Sequence, residues 1–321
     1  MSDENHLQAA TSADLVVVCV CTKDRGAMFQ RCLDALLHQN VPDGSFKLRL
    51  LIVDNSADGG ERQSVAAKQG GPIPLVYIHE TAAGIPNARN AALDAAVHRA
   101  ADWIVFIDDD EIAPQDWIPR LHALALHHEA DVVSGAVAQF PTAREAQFGA
   151  EHWSPPSSFG EARRRRTCPT SNVIFRASLV SGASGLRFDE AMRFGGSDVE
   201  FFMRAGQRGA RIVHVKDATV FEEYPAERKT LAYACNRAFR VGTTTNYRYC
   251  KNYGVLPGGA LLATRVIAKT GTALGSTLAG AIAYPFARNL AKRQLYRGAR
   301  SAATAFGFVG PLFGITPGRY W

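Results

Sequence analysis

Four acids in a row close an apolar segment: residues 103–107, WIVFI, run straight into Asp108, Asp109, Asp110 and Glu111. Adjacent carboxylates repel one another and raise the cost of folding unless a cation or solvent compensates. Hard divalent cations take oxygen ligands of this kind, and Mg²⁺ commonly uses one or two carboxylates and completes its shell with phosphate oxygens and water. A metal held there can neutralise the charge of a leaving diphosphate. The same segment also reads as a solvated strand-to-helix turn in which Asp110 caps the next helix. Two basic features stand apart from it. Arg237 and Arg240 share one helical face at i and i+3, and Arg163, Arg164, Arg165 and Arg166 form a basic run inside a polar loop over residues 143–167.

The elements that must position these groups follow from hydrophobic periodicity. Residues 15–21 are a continuous apolar run, read as a strand buried on both faces, and residues 48–53, 75–79 and 103–107 read as the second, third and fourth strands. Between and after them, residues 27–38, 61–69, 86–99 and 115–127 carry helical patterns, with Pro86 suited to a first turn. Alternation of this kind predicts an α/β fold, a Rossmann-like and mostly parallel sheet flanked by helices. Ligands of such sheets lie beyond the carboxyl ends of the strands. That singles out residues 22–25, 54–56, 80–89 and 108–111. The second half is less regular, with strands expected at 131–140, 172–176 and 211–215 and helices at 201–206 and 228–241.

Five short stretches resemble, in family order, the glycosyltransferases of family 2, which have the GT-A fold. The acidic triplet Asp108–Asp109–Asp110 resembles their DxD motif. VVVCVCTKDR at 16–25 is similar to their opening strand and T-x-x-R turn, and IVDNS at 52–56 to their second strand and turn. GIPNARN at 84–90 and GGSDVEF at 195–201 resemble two further motifs, although Ser197 stands where the family commonly has Glu. The resemblance implies that Thr22, Arg25, Asp54, Arg89, Asp108 and Asp109 meet the nucleotide sugar. It implies that Asp110, with Asp108, ligates Mg²⁺ or Mn²⁺, and that Asp198 is the general base. Arg237 and Arg240 would clamp the diphosphate, since guanidinium matches phosphate oxygens, although Val241 follows where the family usually has Trp. Glu222, in a stretch similar to succinoglycan-type glucosyltransferases, and Glu200 are candidates near the acceptor. Asp198 also reads as a helix cap, Glu200 as a salt-bridge partner and Glu222 as plain surface charge.

The expected activity is inverting transfer of a sugar from a UDP- or GDP-type donor to a hydroxyl of a saccharide acceptor, expected on a polyprenyl pyrophosphate carrier, in cell-surface or exopolysaccharide synthesis. A nucleotidyltransferase acting on a sugar phosphate and a non-catalytic sugar-binding assembly protein are the alternatives. A nucleotidyltransferase usually opens with a glycine-rich loop, and CTKDRG at 21–26 is not one.

Composition sets the outer limits. At 321 residues, 47% hydrophobic and 21% charged, the chain is ordinary for a globular protein. Its six cysteines form no CxxC pair, which argues against a zinc site or a disulfide framework. Residues 1–13 read as a polar leader without a secretory signal. Residues 14–253 form the expected transferase domain, with a nucleotide-binding half at 14–130 and an acceptor half at 131–253. Residues 254–321 hold eight Lys or Arg and no Asp or Glu within an apolar background. Such a tail suggests helices on an anionic membrane surface, peripheral or monotopic on the cytoplasmic face; a small-residue hairpin packed on the domain is the other reading. No recognition pattern for nucleic acid is present.

Overall fold

The computed structural model describes residues 13–140, 162–183, 185–223, 228 and 230–318. Its core is one mixed sheet. Strands β1 (Leu15–Thr22), β2 (Lys47–Asp54), β3 (Leu75–His79) and β4 (Trp103–Asp108) are parallel and lie in the order β3-β2-β1-β4. Helices α1 (Ala27–Leu37), α2 (Arg62–Ala66) and α3 (Ile85–His98) connect them.

The apolar runs are continuous because both faces of the sheet are covered. Val16, Val18 and Val20 of β1 pack with Phe29, Leu33 and Leu36 of α1 and with Ile118 and Leu121 of α4 (Trp117–His127). The alternate residues Val17 and Cys19 pack with Ala88, Ala92 and Leu93 of α3. On that same side lie Phe201 and Phe202 of α5 (Ser197–Gln207).

Beyond β4 the sheet becomes mixed. β5 (Glu111–Ile112), β6 (Val132–Phe140), β7 (Arg163–Arg165), β8 (Val173–Arg176) and β9 (Ile212–Glu223) extend it as β4-β8-β6-β9-β5, with β7 also on β9. Among these added pairings only β6–β9 is parallel. Three details differ from the sequence reading. Arg163–Arg165 lie on a strand rather than in a loop, because β9 offers an edge to pair with. β9 runs eight residues further than expected, to Glu223, and its far end pairs with the two residues of β5, which the acidic run concealed. The helix expected at 228–241 is α6 (Leu231–Tyr253), capped by Thr230, whose side chain accepts from the Tyr233 amide.

Two long helices follow, α7 (Val255–Ala283) and α8 (Arg288–Val309), folded back on one another around Pro285. They pack through small residues. A Cβ on Gly298 would lie 2.6 Å from Thr277 Oγ1, and one on Gly307 only 2.1 Å from the Phe239 carbonyl and 2.9 Å from Gly242 Cα. The backbones of α6 and α8 therefore touch where Gly242 meets Gly307, and Asn246 Nδ2 donates to the Phe308 carbonyl beside that point. Gly307→Ala is expected to cost about 1–3 kcal/mol through overpacking, read as a lower melting temperature. Gly271→Ala, where a Cβ meets open space, should leave it unchanged or raise it, since alanine is the better helix former.

Candidate active site

Parallel register brings the ends of the central strands to one edge: Cys21 of β1 pairs with Asp108 of β4, and Thr22 with Asp54 of β2. Above this edge lies a cleft of about 780 Å³. One wall is the acidic run with Arg25 and Arg89. A second is the turn Phe194–Val199. The third is a stripe along α6, namely Tyr233, Asn236, Arg237, Arg240, Thr244 and Arg248.

Each aspartate of the triplet faces an arginine. Arg25 Nε is 3.3 Å from Asp109 Oδ1, Arg228 Nη2 is 3.3 Å from Asp110 Oδ2, and Arg89 Nη2 is 3.9 Å from Asp108 Oδ1. These partners do not offset the burial. Asp108 is packed around by protein, though its side chain keeps 47% of its surface open to the cleft. Desolvation, together with Asp110 and Asp109, outweighs Arg89 and pushes its carboxyl up to about 7. Desolvation likewise raises Asp109 to about 6 against the pull of Arg25. Asp109 is buried, and its Oδ2 has no hydrogen-bond partner. Glu111 is also buried. It accepts from the Asp108 amide at 3.0 Å and is raised well above the carboxylate range by desolvation and then by Asp108. Its cross-strand partner is Glu222, which lines the cleft as well.

Asp198 enters from the opposite wall. Gly195 and Gly196 precede it with φ of 101° and 79°, a region glycine enters without strain. A Cβ on Gly196 would also press to 3.2 Å from Thr244 of α6. This tight turn sets Asp198 in the first turn of α5. Its Oδ1 accepts from the Val199 amide at 2.8 Å, and the helix has no side-chain cap hydrogen bond. Ser197, buried behind it, lies 3.5 Å from Arg89 Nη1.

Of the residues singled out in the sequence, the cleft gathers Arg25, Arg89, Asp108, Asp109, Asp110, Asp198, Glu222, Arg237 and Arg240. Three lie elsewhere. Thr22 is fully buried at the end of β1. Asp54 is fully buried too, and accepts from the Ser56 amide and hydroxyl, the Glu61 amide and Tyr77 Oη. These bonds overcome its desolvation and hold it below the usual carboxylate range. Glu200 is buried on the far side of α5, where both its oxygens accept from Arg204 at 2.7 Å and Lys251 stands 3.6 Å away. Of its two readings, the structure shows the salt bridge.

Sequence reasoning missed Arg228, Tyr233, Thr244 and Arg248. The signal for the last three was present: 233, 237, 240, 244 and 248 recur every three or four residues, one face of a helix. The helix expected at 228–241 stops short of the glycine and three threonines at 242–245, and so short of Thr244 and Arg248.

The sequence family follows from comparison. The model of glycosyl transferase family 2 matches residues 17–181, just over half of the chain. This chain belongs to glycosyl transferase family 2. The transferase is 33% identical over 231 residues to the succinoglycan biosynthesis protein ExoM of Rhizobium meliloti strain 1021, covering 70% of this chain and 72% of that one. Among solved structures it is similar to the mannosyltransferase PcManGT of Pyrobaculum calidifontis in complex with GDP-Man and Mn²⁺. That match has a TM-score of 0.59 and 19% identity over 93% of this chain and 88% of that chain. It is also similar to S. aureus TarS 1-349 in complex with UDP-GlcNAc, with a TM-score of 0.51 and 16% identity over 93% and 92% of the two chains. At such identities the structural likeness speaks for the GT-A fold. The enzyme class rests on the family match and on the ExoM relative.

Proposed function

We propose that this glycosyltransferase moves a sugar from a UDP- or GDP-type donor to a hydroxyl of a saccharide acceptor, as part of exopolysaccharide assembly. One observation carries the reading: Asp198 and the acidic triplet face each other across a single cleft whose third wall is lined by arginines. The ExoM relative supports the pathway class, and the UDP-GlcNAc and GDP-Man held by the structural neighbours support the donor class.

In this reading the donor diphosphate lies between the triplet and the arginines Arg237 and Arg240, whose guanidiniums bind phosphate oxygens. Asp198 takes the proton of the acceptor hydroxyl as that oxygen bonds to the anomeric carbon. The bond to the phosphate oxygen breaks on the opposite face, nucleoside diphosphate leaves, and the configuration inverts. Asp110 and Asp108 suit a divalent cation. The buried, unbonded Asp109 Oδ2 and the raised carboxyls of Asp108 and Asp109 mark a place short of positive charge. Among the described residues no three His, Cys, Asp or Glu side chains form a ready ligand set, which suits an ion completed by phosphate and water. Mg²⁺ or Mn²⁺ there would supply charge for the departing diphosphate.

The α7–α8 hairpin forms the membrane-facing part of this reading, residues 254–321 acting as an appendage to the catalytic domain at 14–253. α7 is long and apolar enough to cross a membrane by length and composition, but Arg265 and Lys269 interrupt it. An orientation along an anionic cytoplasmic surface suits both its exposed apolar face (Leu256, Ile267, Leu274, Leu278 and Ile282, with Phe286 at the turn) and the absence of acids in the tail. Leu274→Glu combined with Leu278→Glu is expected to weaken binding to phosphatidylglycerol vesicles at least about tenfold, measured by co-sedimentation. Unchanged partitioning would exclude this face.

The class of donor is tested by nucleoside diphosphate release. The purified protein is offered a panel of nucleotide sugars with Mn²⁺ or EDTA, with and without membrane extract as acceptor source. Metal-dependent release from one donor is the expected result. Pyrophosphate release from a nucleoside triphosphate, or no release from any donor, would overturn the reading.

A further inference from the structure

The stripe of α6 reaches past the groups that the transfer step uses. Tyr233 and Arg248 both line the cleft, and fifteen residues of helix separate them by roughly 22 Å. Arg228 pairs with Asp110 at one end. Thr244 lies over Gly196 and so marks the level of Asp198. Arg248 is one turn further on, away from the triplet. A diphosphate held between Asp110 and Arg237 leaves this end of the cleft to the acceptor.

Arg248 is half-buried, its Nε is shielded from solvent without a hydrogen-bond partner, and no carboxylate of a described residue forms an ion pair with it. The next residue, Tyr249, offers its ring to two guanidiniums. Arg248 lies 5.9 Å from the ring centroid, and Arg265 of α7 lies 5.1 Å from it. Arg265 is brought there by Gly258, two turns earlier on α7, where a Cβ would come within 2.6 Å of the Tyr249 carbonyl. Burial, joined by the charge of Arg265, holds Arg248 below the usual arginine range against the opposing pull of Tyr249 and, more weakly, Asp198. Two cations that share one ring repel each other, and an anion that joined them would relieve that repulsion.

We infer that Arg248 and Arg265, sharing the Tyr249 ring, form a second anion subsite that binds a phosphate or diphosphate group carried by the acceptor. The inference rests on the transferase reading for the identity of the acceptor, but not for the existence of the site. Beside it begins α7, with Val255 and Leu256 exposed and apolar. A diphosphate on a lipid and a phosphate on a soluble saccharide share the chemistry this subsite recognises.

The test is calorimetric binding of inorganic pyrophosphate to the full chain in EDTA, without donor. Arg248→Gln is expected to weaken binding at the subsite at least about tenfold, the loss of hydrogen bonds to a charged group. Arg265→Gln should weaken it several-fold. Arg248→Lys, which keeps the charge but not the planar fork, should bind more weakly than wild type and more tightly than Arg248→Gln, a graded order that lost folding would not give. Unaltered pyrophosphate binding in Arg248→Gln and Arg265→Gln, with binding lost only in Arg237→Gln, would overturn the proposal. Competition between farnesyl diphosphate, with phosphatidylglycerol vesicles present, and inorganic pyrophosphate assigns the source. Preference for the prenyl compound means a lipid carrier, and equal affinity means a soluble phosphate; both outcomes support the subsite. Because the measurement uses no donor, a wild-type protein without transferase turnover would defeat the proposed function and leave this result standing.

Discussion

Asp198→Asn is expected to lower kcat by about three orders of magnitude while leaving the KM for the nucleotide sugar within a few-fold of wild type, since general base catalysis contributes about 10²–10⁴-fold. The substitution is nearly isosteric. Asn keeps an oxygen for the Val199 amide, so the first turn of α5 should stay in place. What is lost is the capacity to take the proton. Donor binding draws on other groups, Arg25, Arg89, Arg237, Arg240 and the acidic triplet, which lie on the sheet edge and on α6. The split between kcat and KM therefore distinguishes a base from a positioning residue. Retention of near wild-type turnover by Asp198→Asn would remove Asp198 from the mechanism. Measurement of product configuration in the same assay checks inversion independently.

Much of this site was legible because the first half of the chain obeys short-range rules. The strands at 15–21 and 103–107 are apolar throughout, and that at 48–53 is so but for Arg49, since helices cover both faces; a parallel sheet places ligand groups at their carboxyl ends. That logic led to Arg25, Arg89 and the triplet. It also led to Asp54, which ends β2 as expected but spends its carboxylate on Ser56, Glu61 and Tyr77. Strand position alone does not tell a loop-bracing acid from a ligand-facing one. Arg248 was overlooked, although its helical spacing was there to read, because the expected helix stopped at residue 241. Its helix continues through Gly242 and a run of threonines of low intrinsic propensity, because α8 packs onto that stretch so closely that only glycine fits at the crossing. Tertiary packing decided the length of α6, and the length of α6 decided the extent of the cleft. The pairing of β7 with β9 is likewise a long-range event, so an arginine run that reads as loop became an edge strand.

Asp110→Asn is expected to lower kcat/KM by about two to three orders of magnitude with Mn²⁺ present, the scale of several kcal/mol attached to charge stabilisation by a metal, and to abolish the rise in melting temperature that Mn²⁺ gives the wild type. The acids of this site also make a prediction about stability. Asp108 ionises near 7 in the folded chain, chiefly through desolvation, and near 3.9 when unfolded. Between those values the native state binds more protons than the unfolded state, so this group's contribution is fully present below the unfolded pKa and is lost as pH rises through about 7. Asp109, raised to about 6, acts in the same sense. His128 and His214, held low by burial, act oppositely below pH ~6.5, so the informative quantity is a difference between two proteins. In EDTA, Asp108→Asn should be more stable than wild type at pH 8 and lose that advantage by pH 5. Mn²⁺ should stabilise the wild type most at pH 8, where the carboxylates are ionised and in need of a counter-charge, and little at pH 5, where protons already occupy them. An Asp108→Asn protein whose stability tracked that of the wild type across this range would mean that the arginines alone balance the triplet, and the case for a cation would fall with it.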